Sequence, residues 1–200
     1  YRRQRQMCIR DSMSTVLASF DVDGFYTTDA VYTTWTYENM LRMVEAQGIP
    51  ITVPEPGDTL KLQSGAVFRF LSPQPDAQYE NLNNASLVCM FEAGGSRVLM
   101  MGDAEQEIEQ ELLDSGADLR CDVVKLGHHG SASSSSLEFL RATHARTAII
   151  SCGADNSYGH PHSETLKNLN AAVIRDVRGT AQEGTIVIKF SKNTAEENAA

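Results

Sequence analysis

The chain has no run of 18 apolar residues, so nothing in its sequence reads as a membrane-spanning helix. It has four cysteines, at 8, 89, 121 and 152, and no C-x-x-C pair. That excludes a thioredoxin-like redox motif and a zinc ribbon, and three cysteines beyond residue 8 cannot complete a disulfide framework. Cys89, Cys121 and Cys152 each sit in an apolar run and read as buried strand positions. Basic charge is also short: 17 Lys and Arg against 26 Asp and Glu leave a net charge of −9. A protein that grips nucleic acid by surface charge alone would show the reverse balance, so an anionic substrate would need locally bound cations. No secretory leader is visible.

The first twelve residues, YRRQRQMCIRDS, hold four of the arginines and no fold periodicity. They read as a non-native, adapter-like segment and are set aside from fold reasoning. The rest suits one globular domain over 13–192, followed by a polar tail at 193–200. Tyr37, Met40, Leu41 and Val44 recur at helical spacing, predicting a helix from Thr36 to Gln47 with Thr36 as N-cap and Gly48 as stop. Ile49–Val53 reads as a strand. Thr59–Leu62 with Ala66–Leu71, and Ser86–Glu92 with Arg97–Met101, read as hairpins, the second about Gly94-Gly95. Beyond them the order is helix 104–114, strand 121–126, helix 136–143, strand 147–152 and helix 163–172. Closing strands are expected at 172–174 and 184–190. Hairpins followed by alternating strands and helices predict a layered α/β fold.

Polar clusters stand directly at three strand ends: Gly102-Asp103, Gly127-His128-His129-Gly130-Ser131, and Tyr158-Gly159-His160-Pro161-His162. Four of the five histidines lie in the last two; His144 reads as a surface residue. A strand end is a rigid anchor from which a side chain can reach into a crevice. Carboxylate with imidazole suits zinc or another first-row divalent ion, and flanking glycines allow close backbone approach. Each cluster also has a bland reading. Gly-Asp can be a simple turn, and His-Pro-His can simply open the next helix with Ser163 as its N-cap.

VLMMGDAEQEIEQELL, CDVVKLGHHGSASSSSLEFL, AIISCGADNSYGHPHSETL and EGTIVI, taken in order, resemble the signature blocks of metallo-β-lactamase-fold hydrolases of the ComEC competence-protein branch, including its stand-alone members. YTTWTYENMLRMVEAQGIPI and LNNASLV resemble earlier blocks, so the likeness runs from about Val16 to Phe190. The resemblance implies a four-layer αββα sandwich with two divalent metal ions, zinc or manganese, on one edge. It implies Asp103 as the ligand bridging both ions and His128 as a ligand of the second. His129 would orient its neighbour or meet substrate, together with Ser131. Asn84 and Ser86, in a block with Asn83, would face substrate, and His160 and His162, with Tyr158 nearby, would be the substrate-side catalytic histidines.

One departure stands out. The family's H-x-H-x-D-H motif, which supplies most of the ligands, has no counterpart in these 200 residues. The expectation is therefore the C-terminal portion of the domain, incomplete at its N-terminus, binding metal weakly and catalysing little. For the intact protein the resemblance implies hydrolysis of phosphodiesters in DNA by a metal-activated hydroxide, with His160 or His162 assisting the phosphoryl oxygens or the leaving group. Two alternatives remain: a lactone, β-lactam or thioester hydrolase on the same fold, and a non-catalytic binding module. Members of the family often work on the outer side of the cytoplasmic membrane.

Overall fold

A computed structural model describes residues 13–190; the adapter-like segment and the whole of the polar tail lie outside the described residues. The chain divides into two compact units, the boundary falling between Pro54 and Glu55.

In the first unit residues 13–19 are helical (α1), and α2 spans Trp35–Ala46. The N-cap of α2 is Thr34, two residues before the one the sequence suggested, its hydroxyl accepting from the Tyr37 amide at 3.4 Å. Threonine at 36 reads as well as threonine at 34 by residue type; only the backbone bond distinguishes them. Two short strands, β1 (Phe25–Tyr26) and β2 (Ile51–Thr52), pair in parallel. Leu17, Val44 and Ile49 form a small core with Val22, Phe25, Met40 and Met43 around it.

The second unit is mixed α/β, built on one seven-stranded sheet of order β3-β4-β5-β6-β7-β8-β9. Its strands are β3 (Thr59–Lys61), β4 (Val67–Ser72), β5 (Val88–Ala93), β6 (Ser96–Met100), β7 (Val123–Lys125), β8 (Thr147–Ile150) and β9 (Asp176–Gly179). The first four run antiparallel, with short turns between β3 and β4 and between β5 and β6 and a longer loop, residues 73–87, between β4 and β5; β6, β7, β8 and β9 run parallel. Parallel neighbours need a crossover, and the sequence supplies one between each pair: α3 (Gln106–Asp114), α4 (Leu137–Thr143) and α5 (Ser163–Ala171). Ile108 and Leu112 of α3, Phe139 and Leu140 of α4 and Leu169 of α5 are buried in one core with Met90, Leu99, Val124 and Ile150 of the sheet. No helix among the described residues is long and apolar enough to cross a membrane.

The closing strands differ from the sequence reading. Residues 172–174 terminate α5: the amide of Ala172 bonds Asn168, that of Ile174 bonds Leu169, and Val173 turns to a positive φ of 64°. The strand lies instead at Asp176–Gly179, which pairs with β8 from Thr147↔Asp176 to Ile150↔Gly179. As an edge strand whose first two residues are exposed, it needs no apolar run and gives none. Residues 184–190 hold no strand, though Ile186, Ile188 and Phe190 are partly covered in alternation with exposed Val187 and Lys189. The apolar alternation is real, but ladder pairing is missing.

α3 and α4 are joined by a buried carboxylate. Glu109 is 1% exposed and accepts from the amides of Ser135 and Ser136, the latter at 2.8 Å, just where α4 begins. Burial raises its pKa, with the two amides opposing. A second close approach lies at Gly127, where a Cβ would sit 2.3 Å from the Ala104 carbonyl oxygen. The obstacle is backbone and cannot swing aside.

Two outcomes follow from this packing. Gly127→Ala should lower unfolding stability by at least about 2 kcal/mol, whereas Gly153→Ala, with open space around it, should shift it by less than about 0.5 kcal/mol; denaturant titration of both variants checks this, and equal stabilities would refute it. Burial pushes the thiol of Cys89 up to about 11 and that of Cys121 up to about 12. Native alkylation at neutral pH, read by mass spectrometry, should leave both unmodified until the chain is unfolded.

Candidate functional site at the ends of the parallel strands

Register brings the clusters together. Met100 of β6, Lys125 of β7 and Ile149 of β8 lie side by side, so the segments that follow leave the sheet at one level. Gly102-Asp103 follows the first, Gly127-His128-His129-Gly130 the second, and Ser151 the third. Lys125 fastens two of these exits, its ammonium donating to the carbonyls of Gly102 at 2.9 Å and Leu126 at 3.1 Å. Burial lowers the Lys125 pKa, and the Asp103 carboxylate opposes that.

After Leu126 the chain makes an unusual turn. His128 and His129 both have positive φ, 41° and 57°, a region that L residues enter at a cost of about 1–2 kcal/mol each. Neighbouring bonds hold it: His128 N–H to Gly102 O, Ser131 N–H to His128 O, and the Ser134 hydroxyl to Gly127 O at 2.9 Å. The first turn of α5 closes it from the other side, with the Thr165 hydroxyl bonding the carbonyls of Gly130 and Ser131 and His162 N–H bonding Gly130 O. Left-handed residues in sequence throw successive side chains to different partners.

That divergence sorts the two imidazoles between two carboxylates. His129 Nε2 lies 3.3 Å from Asp103 Oδ1, and its Nδ1 lies 2.6 Å from the Ser151 carbonyl. A carbonyl only accepts, so Nδ1 carries the proton and Nε2 faces Asp103 as a bare nitrogen when the ring is neutral. His128 Nδ1 lies 2.9 Å from Glu105 Oε1 and 3.3 Å from the Ser133 hydroxyl. Burial works to raise the Glu105 pKa, but the side chains of Asn83, Asn81 and Ser133, together with His128, outweigh it and hold the carboxyl below its usual value.

The third cluster joins the same group. The His160 ring is 5.5 Å from that of His128, 6.3 Å from that of His129 and 4.8 Å from that of His162, and Tyr158 stacks on it at 5.6 Å. Burial first, then the neighbouring imidazoles of His162, His128 and His129, push His160 below the usual imidazole range, against the pull of Asp103. Asn156 clamps its backbone, accepting from the His160 amide and donating to the His160 carbonyl. His162 is spent on structure: its Nδ1 accepts from the Ala132 amide at 2.8 Å, so its Nε2 carries the proton and donates to the Tyr158 carbonyl at 3.0 Å. His144 ends α4 on the surface, apart from the group.

The block around Asn83 lies beneath this group as support. Asn84 is 2% exposed; its side chain accepts from the Glu105 amide at 2.9 Å and donates to Glu107 at 2.5 Å. Asn83 donates to Glu105 Oε1 at 2.8 Å, and the Ser86 hydroxyl accepts from the Asp103 amide at 3.0 Å. Ser131 is 7% exposed and shares a hydroxyl contact with Ser133. The sequence reading passed over Glu105, Lys125 and Ser151. Glu105 had a signal, a second carboxylate two residues after Asp103, but it reads equally as the first turn of an acidic helix.

Among the described residues no group of three or more histidine, cysteine, aspartate or glutamate side chains is placed to hold a metal ion. By themselves these residues do not fit a pair of metal ions. What they hold is two carboxylate–imidazole pairs, Asp103 with His129 and Glu105 with His128, inside a cluster of rings.

No family model matches the chain. It is homologous to parts of several competence-related proteins. It is 39% identical over 154 residues to ComE operon protein 3 of Bacillus subtilis, an alignment covering 76% of this chain and 19% of that protein. It is 35% identical over 125 residues to competence protein ComA of Neisseria gonorrhoeae, covering 60% and 18%. It is 32% identical over 132 residues to recombination protein 2 of Haemophilus influenzae, covering 66% and 16%. The chain thus spans under a fifth of the length of these relatives. Among solved structures it is similar to a mutant of CmlA beta-hydroxylase, with a TM-score of 0.48, 11% identity and coverage of 78% of this chain and 37% of that one.

Proposed function

We propose that the chain carries part of the active site of a metal-dependent hydrolase of the metallo-β-lactamase type that cleaves phosphodiester bonds in DNA. The observation that carries this reading is the Asp103–His129 pair. Two donors bound tetrahedrally to one ion at about 2.0–2.1 Å stand about 3.3–3.4 Å apart, and Oδ1 of Asp103 and Nε2 of His129 are separated by 3.3 Å. A carbonyl bonded to the ring's other nitrogen, as Ser151 provides, is the usual support of a ligating histidine. The sequence reading took His128 as the ligand; the geometry favours His129. The remaining ligands are assigned to residues beyond those described, so the 200-residue chain alone binds metal weakly and turns over little. DNA as substrate is supported by the names of the competence relatives; with an acidic chain, bound cations would have to supply the attraction.

Within the site, Asp103 and His129 would hold the ion. His160, kept neutral by its surroundings and stacked by Tyr158, would meet the phosphoryl oxygens or the leaving group. Titration of Mn2+ into the chain by calorimetry should give weak binding, weakened at least about tenfold, or about 1.4 kcal/mol, by Asp103→Ala or His129→Ala and unchanged by His144→Ala. In a protein that joins this chain to an H-x-H-x-D-H segment, Mn2+ should support cleavage of single-stranded DNA and bis-p-nitrophenyl phosphate, and Asp103→Ala should abolish it. Retained binding and activity in that variant, or turnover of a chromogenic β-lactam in place of the phosphodiester, would overturn the proposal.

A further inference from the structure

The second carboxylate–imidazole pair has its own architecture, and it explains a block of sequence that the Asp103–His129 pair leaves unused. Glu105 occupies the N-cap position of α3 but makes no capping hydrogen bond with its side chain. Its carboxylate turns instead to His128 Nδ1 at 2.9 Å. Three contacts fix it there: its amide donates to Asn84 Oδ1, its Oε1 accepts from Asn83 Nδ2 at 2.8 Å, and the Asn84 amide group is anchored on Glu107. Asn84 is almost wholly buried, so it cannot itself reach a polymeric substrate. Its bonds hold the backbone and side chain of the residue that touches His128.

We infer that Glu105 is a positioning residue: its carboxylate fixes His128 as the Nδ1–H tautomer, leaving Nε2 as the open nitrogen, and Asn83 and Asn84 act on the site through Glu105. The chemical ground is that an ionised carboxylate 2.9 Å from Nδ1 repels a bare ring nitrogen there and favours an N–H; at His129 the 2.6 Å bond from Nδ1 to the Ser151 carbonyl outweighs the Asp103 carboxylate, which stands farther off at 3.3 Å. The Ser133 hydroxyl, 3.3 Å from the same nitrogen, can donate or accept and imposes no tautomer. The two consecutive histidines are thereby given separate tasks. His129 answers to Asp103 and Ser151, whereas His128 is oriented by Glu105, edge-on to His160. What His128 does with that nitrogen during phosphodiester cleavage rests on the function proposed above; the tautomer itself does not.

The test is a long-range 1H–15N correlation spectrum of the 200-residue chain with 15N-labelled histidine, recorded without metal at alkaline pH, where imidazoles are neutral. His128 should carry its proton on Nδ1. Glu105→Ala should move that proton to Nε2 in a large fraction of molecules, Asn83→Ala should do so in part, and Ser133→Ala should leave the wild-type pattern. A wild-type spectrum with the proton on Nε2 overturns the inference even if Glu105→Ala does not fold, and so does a folded Glu105→Ala with an unchanged tautomer. In a protein completed with the H-x-H-x-D-H segment, Glu105→Ala should lower kcat about 10- to 100-fold with metal stoichiometry unchanged. A lost metal equivalent would make Glu105 a ligand and refute the positioning role. Failure of Asp103→Ala to affect binding would sink the hydrolase reading while leaving the tautomer result standing, so the two failures are separable.

Discussion

Three parallel strands end abreast, and the Lys125 ammonium bonds the carbonyl groups at two of those ends. Much of the polar chemistry in the second unit depends on that alignment. Parallel strands impose crossovers, and the crossovers place every post-strand loop on the same edge of the sheet. The loops therefore meet at one level, each rooted in a strand of three to five residues with at least one residue buried in the core. Glu109 performs a related task one layer out, binding the start of α4 to the middle of α3. The turn at His128 and His129 is then over-determined by its neighbours, the condition under which left-handed backbone survives at a functional site.

Sequence reading recovered the hairpins, the helices and the polar clusters because each rests on a local rule: alternation, helical period, or a glycine-flanked polar pair at a strand end. It missed β9 because Asp-Val-Arg-Gly at an open edge shows no apolar pattern, and it expected a strand at 184–190 because alternation predicts a strand whether or not a partner is present. At the site, membership was legible and roles were not. Adjacent histidines look equivalent in a sequence; two positive φ angles send one to Asp103 and the other to Glu105. Asn84 shows the same limit. An asparagine in a motif block reads as a ligand contact, while burial and its two bonds make it a support.

The resulting picture is one of divided labour at a sheet edge. One carboxylate–imidazole pair sets two acceptor atoms 3.3 Å apart, as a cation would require; the other fixes a tautomer and is braced by Asn83 and Asn84. The imidazole cluster, in which burial and the neighbouring rings push His160 below the usual imidazole range, is a surface suited to a phosphate only once a cation supplies positive charge. That dependence agrees with the chain's acidic balance, and it ties the account to one geometric claim, that Asp103 and His129 address the same ion.

A crystal of the chain soaked in Mn2+, with anomalous difference maps recorded near the manganese edge, tests that claim most directly. The account predicts a peak within about 2.0–2.3 Å of both Asp103 and His129 Nε2, with His128 Nδ1 still beside the Glu105 carboxylate. A peak on His128 that leaves His129 unligated, or manganese bound only elsewhere on the molecule, would contradict it.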